Sequence, residues 1–265
     1  MKIFISADIE GITGVTHWDE TDIHKPDHAA FQEQMTAEVA AACEGALQAG
    51  ATEIWVKDAH GSGRNLVAAK LPQAVRLIRG WSGHPFQMLQ ELDKSFTAVL
   101  MVGYHSPSGD GGNPLSHTLT GWLAELRVNG QRVSEFLLNA YIAGLVNVPV
   151  VFVSGDKGLC DEVQIFNPSI VTVPVKEGIG NSTVNLHPHL ALSEIREKVA
   201  QALQGDLEAC RVVLPRSFRV ELRYKDHYHA YRYSFYPGAV LKDACTVELE
   251  TNDYFDVLRW LLFTT

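Results

Sequence analysis

Paired cysteines, long apolar runs, basic clusters and internal repeats are all missing from this chain, and each absence removes a class of protein. The four cysteines, Cys43, Cys160, Cys210 and Cys245, stand singly, with no C-x-x-C pair and no disulfide-like spacing, so they read as reduced thiols. No apolar stretch approaches the roughly 18 residues that cross a bilayer. The N-terminus enters a strand pattern directly, without a basic and then apolar leader, and a cytoplasmic protein that does not enter membranes is expected. No Lys/Arg run is long enough to follow a phosphate backbone, and the formal net charge is −9 with a pI near 5.6, which argues against a nucleic-acid partner. Gly61-Ser62-Gly63 and Gly109-Asp110-Gly111-Gly112 fall short of any dinucleotide or Walker pattern and read as loops beside a site. With 46% hydrophobic residues over 265 positions the chain has enough apolar material for a sizeable core, and disorder is not indicated.

What is present is a set of short apolar strands that end in side chains able to bind metal. Lys2 to Ala7 leads into Asp8-Ile9-Glu10; residues i and i+2 of a strand share a face, so the two carboxylates converge if strand geometry persists to Glu10. Glu53 to Lys57 leads into Asp58-Ala59-His60, and Ala98 to Tyr104 into His105. Three strand ends agree, and in open α/β sheets the ligand site lies outside the carboxyl ends of the strands, near the switch point of strand order.

The elements alternate. An irregular stretch through about Asp27, rich in His and Asp, reads as a mobile loop over the site. Apolar positions from Ala29 to Gln48 fit an amphipathic helix with Gly50 as its stop, and the strand at Glu53 completes a βαβ unit. Leu66–Lys70 reads as a helical turn, Ala74–Arg79 as a strand, Phe86–Leu92 as a helix, and Ser116–Val128 as extended, with Asn129-Gly130 as a hairpin turn. Ser134 caps a helix over Glu135–Leu145, followed by a buried strand over Val148–Val153 and a helix over Ser193–Leu203. From Arg211 the style changes: Phe218–Tyr224 alternates, an aromatic patch runs from Tyr228 to Tyr236, and a strand over Cys245–Glu250 precedes a helix from Tyr254. The expected fold is α/β, with a mostly parallel sheet flanked by helices over residues 1–208 and a smaller α+β lobe over 209–265.

Glu135, at a helix start where a carboxylate is electrostatically favoured, joins the strand ends. Asp8, Glu10, His60, His105 and Glu135 form an oxygen and nitrogen donor set without thiolate, which suits zinc first and manganese second. Five such side chains can hold two ions with a shared carboxylate, an arrangement that performs hydrolysis of a peptide, an amide or a phosphate ester. His117, in Leu115-Ser116-His117-Thr118, can serve as general acid, base or nucleophile, or be a histidine hydrogen-bonded in a sheet. Asp58 has two readings, a carboxylate orienting His60 or a turn residue. The pairs His24/His28, His187/His189 and His227/His229 lack a third ligand and read as surface or interface residues.

The blocks Ser6-Ala7-Asp8-Ile9-Glu10-Gly11-Ile12-Thr13-Gly14, Asp58-Ala59-His60, Gly103-Tyr104-His105, Ser116-His117-Thr118 and Glu135-Phe136-Leu137-Leu138-Asn139-Ala140-Tyr141 together resemble the D-aminopeptidase family of zinc peptidases, the dipeptide-transport-operon type. The resemblance covers roughly residues 1 to 156. It implies that Asp8, Glu10, His60, His105 and Glu135 bind two zinc ions with Asp8 as the bridge, that His117 is the catalytic histidine, and that short peptides lose N-terminal D-amino acids inside a homodecameric ring. Trp18 and Trp122 set bulky aromatics where the pocket is expected. The competing readings are a metal-dependent phosphatase or other small-molecule amide hydrolase, and a non-enzymatic protein with a structural metal.

Overall fold

The computed structural model describes residues 1–265. In chain order the elements are β1 (Lys2–Ala7), α1 (His28–Gln48), β2 (Glu53–Asp58), β3 (Val75–Ile78), β4 (Ala98–Tyr104), β5 (Leu123–Val128), β6 (Gln131–Arg132) and α2 (Glu135–Leu145). They continue with β7 (Val150–Asp156), α3 (Lys157–Phe166), β8 (Val171–Ile179), β9 (Ser182–Asn185), α4 (Pro188–Gln204), β10 (Phe218–Tyr224), α5 (His227–Tyr233), β11 (Ala239–Leu241), β12 (Thr246–Thr251) and α6 (Tyr254–Thr264).

Seven strands form the main sheet in the order β3-β2-β1-β4-β7-β8-β9, parallel except for β9, which runs antiparallel to β8. β4 and β7 are buried along their whole length and β1 from Ile3 onward, as central parallel strands covered on both faces must be. α1 packs on β1 and β4, α4 on β7 and β8, and the two helices pack against each other. Gly50, at φ +94°, ends α1 as its position in the sequence implies. Strand order reverses beside β1, because β2 and β3 lie on one side of it and β4, β7 and β8 on the other.

A second, antiparallel sheet runs β11-β12-β10-β5-β6. The Asn129-Gly130 turn joins β5 to β6 with both residues at positive φ, the pair of values a two-residue hairpin requires. This sheet therefore takes two strands from the first half of the chain, and a single apolar cluster, from Ile3 to Leu261, runs through both layers.

Three segments differ from the sequence reading. Phe86–Leu92 holds only a single tight turn at Gln87–Leu89, because Gln87 (φ +42°) and Glu91 (φ +71°) leave helical space. Ser116–Val128 is extended only from Leu123; before it Leu119 stands at φ +61° in a tight turn, with Thr118 Oγ1 tied to the Val133 carbonyl and the Ser108 amide. Between Val153 and Ser193, for which the sequence reading names no element, the chain forms α3, β8, β9 and the first turn of α4. Asp156 caps α3 by accepting from Leu159 N, a cap hidden in the sequence by the strand it also ends.

β1 and β4 converge at Gly103, whose φ is +74°. A Cβ there would stand 2.2 Å from the Asp8 carbonyl oxygen, inside the site. Gly103→Ala is expected to destabilise the fold by more than about 2 kcal/mol, since it combines backbone strain with a clash that only main-chain movement relieves. A urea midpoint equal to wild type would contradict this.

Candidate metal centre

Asp8 follows β1, His60 lies two residues past β2, and His105 follows β4, so all three leave the carboxyl ends of strands at the reversal of strand order. Glu135 is the first residue of α2, whose cap is Ser134 Oγ accepting from Leu137 N. β1 ends at Ala7, so Asp8 and Glu10 do not share a face by strand pleating. They converge through a turn held to β4, with Asp8 N donating to the Val102 carbonyl and Gly11 N to the Gly103 carbonyl, each at 2.8 Å.

The six residues named from the sequence meet. Asp8 presents one oxygen to each of two imidazoles: Oδ1 lies 3.4 Å from His60 Nδ1 and Oδ2 3.5 Å from His105 Nε2. Glu10 Oε2 is 3.0 Å from His60 Nδ1, and Glu135 Oε2 is 3.6 Å from His105 Nε2. Glu135 Oε1 accepts from Leu119 N at 2.7 Å and lies 3.8 Å from His117 Nε2. His117 is thus in a loop turn beside Glu135 rather than in a sheet. Its ring stacks on His105, with centroids 4.4 Å apart and planes 9° from parallel, and meets the edge of Trp18 at 5.2 Å.

Backbone carbonyls fix the tautomers. His60 Nε2 bonds the Thr21 carbonyl, His105 Nδ1 the Ser106 carbonyl and His117 Nδ1 the Leu115 carbonyl, at 2.9, 2.9 and 3.0 Å. A carbonyl only accepts, so those nitrogens carry the protons. In the neutral rings the nitrogens facing the carboxylates therefore offer lone pairs, the form a metal needs.

The electrostatics ask for positive charge. Burial and the neighbouring Glu10 raise the Asp8 carboxyl well above the usual range. Burial opposes ionisation of Glu10 and Glu135, yet His60 holds the first well below its ordinary value and His105 lowers the second. Against its own burial, His60 is raised well above the normal imidazole value by Glu10 and Asp8, and His105 is pushed up to about 10, chiefly by Glu135. Burial and the nearby His105 lower His117. Protons on His60 and His105 thus stand where cations are wanted. With both rings neutral, the two Glu10 carboxylate oxygens and His105 Nε2 are buried without a hydrogen-bond partner, an arrangement that costs free energy unless an ion completes it. The donor set, three carboxylates and imidazoles with no thiolate, fits a pair of divalent ions.

A cleft of about 840 Å³ opens over these groups, lined by Asp8, Glu10, His60, His117 and Glu135 and by Trp18, Trp81, Ile23 and Leu119. His105, 1% exposed, forms the back wall behind His117.

The family model described as D-aminopeptidase matches residues 1–263. The chain belongs to the D-aminopeptidase family. It is 31% identical to the D-aminopeptidase of Bacillus subtilis (strain 168) over 267 aligned residues, covering 100% of this chain and 97% of that relative. It is also similar to the solved structure of the Zn-dependent D-aminopeptidase DppA from Bacillus subtilis, a self-compartmentalizing protease, with a TM-score of 0.94 and 29% identity, over 100% of this chain and 96% of that one. The α/β fold with its mostly parallel sheet is therefore that of this family of peptidases.

Several contributors to the site had no signal in the sequence. Asp58 does not orient His60; it accepts from the Asn65 and Leu66 amides and from Asn65 Nδ2, which also donates to the His60 carbonyl. Asn113 Nδ2 and the buried Lys176 ammonium both hold the Glu10 carbonyl, and Asp156 accepts from Ser106 N, Ser106 Oγ and Asn113 Nδ2. The Thr21 carbonyl, by holding His60, ties down the segment read as a mobile loop; Lys176 Nζ to the Val15 carbonyl and Asn185 Oδ1 to Gly14 N anchor it further. Trp18 is in the cleft as expected, whereas Trp122 stacks on His229 outside it. His28 is buried against Asn65 and His24 lines the cleft, so that pair is not a surface pair.

Proposed function

We propose that this chain is a zinc-dependent aminopeptidase that releases N-terminal D-amino acids from short peptides. Asp8, Glu10, His60, His105 and Glu135 would hold two zinc ions, and His117 is the catalytic histidine. The observation that carries the reading is Asp8 turning one oxygen toward His60 and the other toward His105, the disposition of a carboxylate shared between two ions. When bound, the zinc pair supplies Lewis acidity that polarises a peptide carbonyl and acidifies water. The protein's own part is positional. Glu10 and Glu135 balance the cations, and the wall formed by His105 and Trp18 fixes the His117 ring so that Nε2 faces the cleft side of Glu135. There Nε2 takes up a proton from the water that adds to the peptide carbonyl and returns it to the departing amine as the C–N bond breaks.

Both the family model and the similar proteins are D-aminopeptidases, so a phosphatase is not favoured. The similarity to a self-compartmentalizing protease supports a homo-oligomer, and we extend it to a decameric ring in the cytoplasm. Exposed Tyr228, Tyr231, Phe235 and Phe263 supply apolar surface for such contacts.

Zinc-loaded protein is expected to bind two zinc ions per chain by elemental analysis and to cleave D-Ala-Gly faster than L-Ala-Gly; the activity disappears on chelation and returns with zinc. Folded protein that binds no zinc, or that hydrolyses neither dipeptide when loaded, would refute the reading. Light scattering that gives a monomer would remove the ring.

A further inference from the structure

Trp81 follows β3 and reaches into the cleft with 43% of its surface exposed. It is held from two directions. Its Nε1 donates to the carbonyl of Gly61, the residue after His60, at 2.8 Å. The Lys57 ammonium lies 3.7 Å from the ring centroid, over one face of the indole. Lys57 is fully buried and donates to the Asp58 and Gly80 carbonyls at 2.5 and 2.9 Å, so the cation cannot swing away. The loop beneath is equally constrained: Gly80 N donates to the Gly63 carbonyl at 2.8 Å, and a Cβ on Gly63 would stand 2.8 Å from that nitrogen.

A large apolar ring anchored at its edge and on one face, with the other left to water, forgoes the burial that normally stabilises tryptophan. The surface is recovered if a ligand covers it. The other apolar groups of the cleft, Trp18, Ile23, Met88 and Leu119, favour an apolar group there, and a lining that carries Asp19 and Asp22 but no Lys or Arg disfavours an anionic side chain.

We infer that Trp81 is a specificity residue: its open face takes an uncharged apolar side chain of the bound peptide, adjacent to His60. The inference rests on the peptidase function proposed above. Its position beside Gly61 places it on the His60 side of the cleft.

The test uses the full zinc-loaded chain, Trp81→Ala and Trp81→Phe, with two peptide series: D-Ala-Xaa and D-Xaa-Gly, where Xaa is Ala, Leu, Phe or Asp. Trp81→Ala is expected to lose about tenfold in kcat/KM on the Leu and Phe members of one series, carried by KM, while D-Ala-Gly stays within about twofold. Trp81→Phe should recover most of the loss, and the wild type should discriminate against Asp in that series. Equal loss on every peptide would make Trp81 a support for His60, and no loss on any would make it a bystander; either result overturns the assignment. So would a fall in oligomeric mass in Trp81→Ala, which would place the indole in a subunit contact. Wild-type inactivity on all peptides, by contrast, would refute the peptidase function itself.

Discussion

His117→Ala is expected to lower kcat by about three orders of magnitude while the protein keeps its full complement of zinc, the range typical of removing a positioned acid–base group. The reason is the ring's placement. Its Nδ1 is committed to the Leu115 carbonyl, its faces are covered by His105 and the Trp18 edge, and its free Nε2 stands 3.8 Å from Glu135. Burial and the proximity of His105 lower its basicity, which keeps the ring neutral and ready to accept a proton at physiological pH. A competing role is open to the same atom, since one donor atom each of His105, His117 and Glu135 lies within 4.8 Å of the others. Elemental analysis of the variant separates the two. Loss of one zinc equivalent would make His117 a ligand, whereas unchanged zinc with collapsed kcat makes it the acid–base group.

The second large effect concerns Asp8. Asp8→Ala should remove both ions and reduce kcat/KM by four orders of magnitude or more, about the whole contribution of a metal pair. Glu10→Ala should lose one ion and keep the other, because its carboxylate lies nearest His60, at 3.0 Å, and makes no such close approach to His105. Stability moves in the opposite direction to activity. Without metal, Asp8, Glu10 and Glu135 crowd three buried carboxyls together, and the Asp8 carboxyl is raised by burial and by Glu10. Metal-free Asp8→Ala is therefore expected to melt no lower than metal-free wild type, and of the two only wild type should gain strongly on adding zinc, by about 2.7 kcal/mol for each ion bound at a hundredfold excess over Kd. Thermal melts with chelator and with zinc measure both. Equal zinc retention in the Asp8 and Glu10 variants would show that Asp8 is not shared.

The strand ends carried most of what the sequence could say. Apolar runs closing on Asp8, His60 and His105 identify both the parallel sheet and the side of it that holds the site, because central strands must be apolar and ligands gather at their carboxyl ends. Glu135 was legible through its Ser134 cap. His117 was legible as a residue but not as a geometry: its segment has strand composition, yet Leu119 adopts positive φ, which propensity disfavours and only the surrounding contacts impose. The α3 to β9 region stayed hidden because Asp156 ends one element and caps the next. The grouping of β5 and β6 with β10 and β12 could not be read at all, since it pairs segments about ninety positions apart whose alternation fits many partners. Of the two readings open for Asp58, spacing alone could not choose, since a carboxylate two residues from a histidine suits an orienting partner as well as a turn; here it gathers the amides of Asn65 and Leu66.

Each of the three histidines at the centre is oriented by a main-chain oxygen: Thr21, Ser106 and Leu115. An orienting carboxylate can be lost by a single nucleotide change, but a carbonyl is present whatever residue occupies the position. Point substitution at those three positions thus leaves the proton placement intact, and only insertions, deletions or prolines that redirect the backbone can disturb it. The centre can tolerate wide drift in its neighbourhood while being sensitive to loop length, so divergence in this region should be written in substitutions and not in gaps.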